Sequence, residues 1–209
     1  MSHIELPPTK SSLRKIKDEL TFAYEGFDLL NQKREVLVIE IMKRVGEARR
    51  IEAELSGVLG SFYGAYRFAA ADMGSDALTL QSCSEKRSYY LRMESARLMG
   101  LRLPKITIRE KKLSVAPTVP ETTASYDDAK KKSIRALRVL AEYATIARAI
   151  ILLSRELKKV QRRVNALEKI FIPQHEEAKM YITGRIEEME REEVFVKKLI
   201  RQRHEEAGI

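Results

Sequence analysis

The chain has 209 residues, 44% apolar and 33% charged, which excludes a disordered polymer and suits one domain or two. With no Trp and only 9 Gly, the composition leans toward the Ala, Glu, Lys, Leu and Arg richness of long helices. A balance of 39 Lys and Arg against 30 Asp and Glu leaves a formal +9, which favours nucleic acid, an anionic membrane surface or an acidic protein as partner and does not choose among them.

The first residues, with Pro7 and Pro8, lack the basic segment and apolar run of a signal peptide. Pro7 and Pro8 hold the chain extended, so Thr9, Ser11 or Ser12 can cap a helix that follows. From Leu13 to Phe62, steps of three and four select an apolar seam interrupted only by Arg34 and Arg44. Those two arginines either lay their stems along the seam and reach water, or fix register against a partner. Past Leu55, Gly57, Gly60 and Gly64 lead into Ala65 and Ala69 to Ala71, a run of small residues that suits close helix packing or a hinge. Met73 to Asp76 reads as the stop, with Gly74 in the left-handed conformation.

Residues 77–122 break the helical period and hold Pro104, Pro117 and Pro120. Tyr89, Leu91 and Met93 alternate with polar or outward residues, as do Ile106 and Ile108, which predicts a small β-hairpin with Gly100 between its strands and Pro104 at an edge. Val115 to Thr123 reads as an exposed linker.

Ser125 with Asp128 fits a capping box that opens a second long helix, running to about Glu206. Its seam holds from Ala136 through Val139, Tyr143 and Ile146 to Phe171, and resumes at Ile182. The 11-residue spacing of Phe171 and Ile182 is that of a stutter, and Pro173 falls inside it. Two seams of this regularity predict a mostly α fold in which the N- and C-terminal helices form a long antiparallel coiled coil, with a hairpin insertion between them. The helix from Ser125 alone would extend about 120 Å, so a rod is expected. The boundaries are residues 9–73 for the first helix, 74–124 for the insertion and linker, and 125–206 for the second helix.

Chemistry is not signalled. There is no phosphate loop, no dinucleotide fingerprint and no zinc spacing, and His175-Glu176 lacks a second ligand because Lys179 stands four residues after His175. No cofactor or metal site is expected. Cys83, the lone cysteine, permits no internal disulfide and fits a cytoplasmic setting. The most apolar stretches, Val58 to Ala71 and Val139 to Leu153, are too short or too charged to span a bilayer. Lys10, Arg14, Lys15 and Lys17 open the first helix while Lys197, Lys198, Arg201 and Arg203 close the last, so an antiparallel pair would gather them at one basic end.

Three stretches together resemble the D subunit of the rotary V-type and archaeal-type ATPases: Pro8 to Leu13; Met99-Gly100-Leu101-Arg102-Leu103-Pro104; and Arg163-Val164-Asn165-Ala166-Leu167-Glu168 with Ile172-Pro173 and Glu190 to Glu193. The resemblance covers nearly the whole chain and is least typical over Leu78 to Ser95. It implies a non-catalytic rotor shaft coupling ATP hydrolysis or synthesis to proton or sodium transport. Its paired termini would sit in the hexamer of catalytic A and B subunits, and its middle would meet the F subunit and the collar above the membrane ring. No direct nucleic acid contact or membrane insertion is implied, and the complex would hold the chain at the membrane from the cytoplasmic side. Arg14, Lys15, Lys17, Lys197, Lys198 and Arg201 become candidate contacts with the hexamer. The competing reading from charge and seams alone is a basic coiled-coil scaffold or nucleic-acid-binding arm.

Overall fold

The computed structural model describes residues 7–84, 89–110 and 123–206. In chain order these form α1 (Lys10–Met73), α2 (Ser75–Ser84), β1 (Tyr89–Leu98), β2 (Leu101–Glu110), α3 (Ala124–Ala166), a π-helical turn (Leu167–Phe171) and α4 (Ile172–Glu206). Contacts divide the chain into two compact units, Met1–Val36 with Leu157–Ile209, and Leu37–Glu156. Pro117 and Pro120, with most of the expected linker, lie outside the described residues.

In the first unit Thr9 is the cap chosen from the three candidates: its Oγ1 accepts the Ser12 N–H at 3.1 Å, and its carbonyl accepts the Leu13 N–H at 3.0 Å. Ile16, Leu20 and Ala23 of α1 then pack against Ile172, Ile182 and Ile186 of α4, with Leu13, Phe27, Leu167 and Ala178 around them. The helices are antiparallel here, since Lys10 meets Glu190 and Glu19 meets His175.

The π-helical turn changes the phase of this seam. The Ile172 N–H bonds to the Leu167 carbonyl, five residues back, so one extra residue enters the turn. Val164 is buried and Leu167 half-buried, and the next core residue is Ile172, five positions on. Phe171, expected on the seam, is instead exposed at 39%. The 11-residue stutter expected between Phe171 and Ile182 is therefore replaced by a single inserted residue, after which Ile172, His175, Ile182 and Ile186 hold the inner face. Pro173 follows at once. It has no N–H to give the helix and its ring crowds the carbonyl four residues earlier, at Lys169, so a widened turn at that place relieves the conflict.

In the second unit, α1 and α3 are again antiparallel. Ile51 and Leu55 pack on Val139 and Ile146, and Ser125 donates a hydrogen bond to Asp72. The α3 cap is Thr123 rather than Ser125. The Thr123 carbonyl accepts the Tyr126 N–H at 3.0 Å, while Ser125 is spent on Asp72, and Asp128 pairs with Lys132 at 2.7 Å. Helix α2 falls where no helix was expected. Gly74, at φ 80°, ends α1, and α2 brings Leu78 onto Ala65, Ala69, Tyr126 and Ala129. Small residues do matter at this end, through the buried Ala65 and Ala69. The glycines do not: a Cβ added at Gly57, Gly60 or Gly64 would meet nothing within 4 Å, and α1 runs through them unbroken.

The hairpin is longer than its alternation suggested, pairing Tyr89 with Glu110 through to Leu98 with Leu101. Met99 and Gly100 make the turn with φ of 51° and 81°, the two positive values that a tight hairpin turn matching strand twist requires. Pairs alternate in hydrogen bonding from the turn outward, so positions 104 and 106 direct their backbone nitrogens away from β1. Proline at 104 therefore sacrifices no ladder bond, and the free Ile106 N–H bonds to Thr145 Oγ1 of α3 at 3.0 Å. With the buried Leu103, that bond seats the hairpin on the helix pair. Among the described residues no helix is long and apolar enough to cross a membrane.

Leu37 and Leu153 are fully buried, whereas Ile39 stands mostly in solvent. Leu153→Ala should cost about 2 to 5 kcal/mol and Ile39→Ala within about 0.5 kcal/mol, as read from the urea midpoint of helix loss. Equal losses would show that the core seam is misassigned.

Candidate functional site

A two-helix seam ends where its shorter helix ends. The described part of α1 begins at Lys10, whose Nζ lies 2.7 Å from Glu190 Oε1, while α4 continues to Glu206. At 1.5 Å per residue, Arg191 to Glu206 carry α4 about 24 Å past that ion pair. The apolar spacing does not stop with α1. Ile182 and Ile186 are 1% and 8% exposed, but Met189, Val196 and Ile200, next on the same line with Glu193 interrupting it, are 46%, 52% and 51% exposed. Val194, Phe195 and Leu199 are also exposed, so the end of α4 displays apolar side chains on more than one side. Such a surface is costly in water and calls for a partner.

Charge on this unit is banded. Arg14, Lys15 and Lys17 are exposed on the first turns of α1. Glu187, Glu188, Glu190, Glu192 and Glu193 form an acidic band on α4, after which come Lys197, Lys198 and Arg201, also exposed. The two basic clusters expected to lie together are thus separated. Lys17 and Lys197 lie roughly 10 Å to either side of the Lys10–Glu190 level. Their separation of about 20 Å exceeds the Debye length of about 8 Å at physiological salt, so they act as independent patches with acid between them.

Several charges are partly spent within the unit. Lys15 lies 4.0 Å from Glu19, Lys197 lies 3.6 Å from Glu193, and Arg191 lies 3.9 Å from Glu187. Exposed pairs of this kind contribute little to stability and leave the side chains available to a partner. The Lys10 ammonium is held above its ordinary pKa first by the hydrogen bond to Glu190, then by the charge of Glu190 and, more weakly, of Glu193.

Beside the π-helical turn the same unit buries a histidine. His175 Nδ1 is 2.8 Å from the Phe171 carbonyl oxygen, its Nε2 is 3.4 Å from Glu19 Oε2 across the helix pair, and the Phe171 ring stacks on it at 3.9 Å. His175, which resembled the start of a zinc motif, here ties the end of the widened turn to α1. Tyr24 adds a second cross-link, donating to Glu176 Oε1 at 2.6 Å.

The remaining motif residues lie on α3, the π-helical turn, the start of α4 and the hairpin. Arg163 is exposed in the last turn of α3, Asn165 accepts a hydrogen bond from Gln161 at 2.8 Å, and Glu168 is exposed on the π-helical turn that Pro173 follows. Met99, Gly100 and Pro104 belong to the hairpin. Of the two seam arginines, Arg34 is half-buried and Arg44 pairs with Glu40 at 2.9 Å while bordering the cavity beneath the hairpin. That cavity, of about 610 Å³, was not foreseeable from the heptads; it is roofed by β2 and floored by Ala141, Thr145 and Ala149 of α3.

A family model for the ATP synthase D subunit matches residues 12–202. The V-type ATP synthase D subunit of Thermotoga neapolitana is 30% identical over 200 residues, covering 96% of this chain and 98% of that protein. The A-type ATP synthase D subunit of Methanosphaera stadtmanae is 31% identical over 202 residues, covering 95% and 94%. The A-type ATP synthase D subunit of Pyrococcus abyssi is 30% identical over 195 residues, covering 92% and 91%.

The Lys10–Glu190 pair sets a pH window. A lysine whose folded-state pKa is raised stabilises the fold fully below the unfolded value of 10.5, and that contribution is lost as pH rises through the higher folded value. The gap in thermal midpoint between the wild type and Glu190→Gln at low salt should therefore close as pH is taken above 10.5. A gap that stays constant would mean that Lys10 is not the partner through which Glu190 acts.

Proposed function

The chain belongs to the family of ATP synthase D subunits, and on that premise we propose that it is the rotor shaft in the central stalk of a V/A-type ATPase. It transmits torque between the hexamer of catalytic A and B subunits and the membrane ring, coupling ATP hydrolysis or synthesis to proton or sodium transport. It carries no catalytic step itself; ATP is bound and cleaved by the A and B subunits. The F subunit and the collar above the ring meet its middle, and the chain is held at the cytoplasmic side of the membrane through the complex.

The observation that supports this reading best is the seam of α4 continuing, exposed, past its pairing with α1. Met189, Val196 and Ile200 continue the seam, interrupted by Glu193, with no cover in the chain's described residues, and Lys197, Lys198 and Arg201 stand beside them. Apolar side chains with a basic fringe suit a snug protein socket whose rim is acidic. Arg14, Lys15 and Lys17, set back along the axis, would meet a second level of the same socket.

Torque requires a stiff element and an asymmetric one. Antiparallel helices interlocked by buried aliphatic residues and cross-linked by Tyr24–Glu176 resist relative sliding. A tip displaying different side chains around its circumference offers each of three catalytic interfaces a different contact. Turning it exchanges those contacts, so each interface is biased in sequence toward a different nucleotide state; the bias can be no larger than the difference in contact energy.

The test uses the reconstituted complex. Lys197→Glu, Lys198→Glu and Arg201→Glu together keep the helix but reverse the fringe, and should lower ions transported per ATP hydrolysed by several-fold. A second form ending at Glu193 removes the apolar tip and should uncouple further. Full coupling in both assembled complexes would overturn the role given to the tip.

A further inference from the structure

His175 is buried, and its ring is held from three directions. From the π-helical turn, the Phe171 carbonyl oxygen lies 2.8 Å from Nδ1 and the Phe171 ring stacks on the imidazole at 3.9 Å. From α1, Glu19 Oε2 lies 3.4 Å from Nε2. A carbonyl oxygen only accepts, so Nδ1 carries a proton. In a neutral ring Nε2 then turns its lone pair toward a carboxylate, and the contact across the helix pair is repulsive. A second proton, on Nε2, makes the same contact attractive.

Glu19 has another cation within reach. Its Oε1 lies 4.0 Å from Lys15 Nζ, one turn earlier on α1, while its Oε2 faces the histidine. One half-buried carboxylate thus stands between two groups that compete for it. The other charged neighbours in sequence are Lys17 and Asp18 on α1, Glu168 and Lys169 on the π-helical turn, and Glu177 and Lys179 on α4, all exposed. Glu176 is engaged elsewhere, accepting the Tyr24 hydroxyl at 2.6 Å.

We propose that a single proton on His175 decides which group Glu19 holds, and that this exchange regulates the charge Lys15 presents to a partner. With the ring doubly protonated, Glu19 is held across the helix pair and Lys15 is released. With the ring neutral, the carboxylate turns to Lys15 and the cross-helix contact opens. The ring takes its proton from solvent and returns it there, so falling pH frees Lys15 and rising pH engages it. The partner that Lys15 meets rests on the rotor-shaft reading; the exchange itself is a property of this chain alone.

Two double-mutant cycles on the full chain test the exchange, read from urea unfolding at about pH 5.5 and about pH 8.5. These values bracket the ordinary imidazole titration near about 6.5 and leave carboxylates and lysines charged. Glu19→Gln combined with His175→Asn, whose amide keeps a donor for the Phe171 carbonyl, should show a coupling of about three- to tenfold in the unfolding constant at the lower pH and none at the higher. Glu19→Gln combined with Lys15→Met should do the reverse, with about twofold coupling appearing only at the higher pH. Nitrogen NMR of the histidine-labelled chain reads the ring directly. The signals lost in His175→Asn should report two protonated nitrogens at the lower pH and Nδ1 alone at the higher. A His175 coupling that does not change with pH, a Lys15 coupling that does not rise, or a neutral ring protonated on Nε2 would each overturn the exchange. In the reconstituted complex, Glu19→Gln leaves Lys15 free at both pH values, so its ions transported per ATP should match the wild type at the lower pH and exceed it at the higher. Equality at both, with the exchange seen in the isolated chain, would overturn the regulation and the socket contact of Lys15 while leaving the exchange standing.

Discussion

Burial of aliphatic side chains between two antiparallel helices at alternating steps of three and four is the constraint on which each unit depends. In one unit Ile16 and Leu20 are closed off by Ile182 and Ile186; in the other Ile51 and Leu55 are closed off by Val139 and Ile146. A helix pair has no second layer to absorb an error of phase, because a residue rotated by one position goes from the interface to water. This intolerance explains why the π-helical turn at Leu167–Phe171 has so clear an effect. One extra residue turns the following helix by about 100°, enough to move Phe171 out and Ile172 in. The histidine that follows is drawn inside, where Phe171 and Glu19 enclose it.

Features that obey a period were legible in the sequence, and features that break one were not. The seams, the antiparallel pairing, the hairpin with its turn at Gly100, and the stop at Gly74 all follow from repeated spacing or from a residue type with a single conformational use. The π-helical turn has no composition of its own. Its trace was the irregular distance between Phe171 and Ile182, which a stutter explains equally well until the buried residues are known. Helix α2 was hidden because ten residues with little amphipathic contrast give almost no periodic signal, and only Leu78 packs deeply. Ser125 satisfied the formula for a cap, but its hydroxyl is taken by Asp72, a residue far away in sequence.

The sequence names the basic residues of the candidate site but not their layout. The basic residues of both termini stand out in the sequence, and all six candidate contacts are exposed. What spacing along one strand of the chain could not give is the level at which the two helices meet. The Lys10–Glu190 pair sets that level and shows α4 overrunning α1, so the clusters are staggered rather than merged. The same pairing places the acidic run from Glu187 to Glu193 between them, and screening at physiological salt then makes each band a local feature.

The two kinds of exposed apolar surface follow from different uses of the same helical geometry. At the end of α4, the seam outlasts its partner among the described residues, so side chains that would be core are left exposed. On α3, the seam keeps its partner, and Leu137, Leu140 and Ile151, each one position beyond a seam residue, are exposed as well. Both arise without any special residue, by continuing or duplicating the three-and-four spacing that makes the pair. Hydrophobic burial is non-directional, so the apolar side chains alone select no partner, and selectivity at either surface would come from the charge and shape beside them.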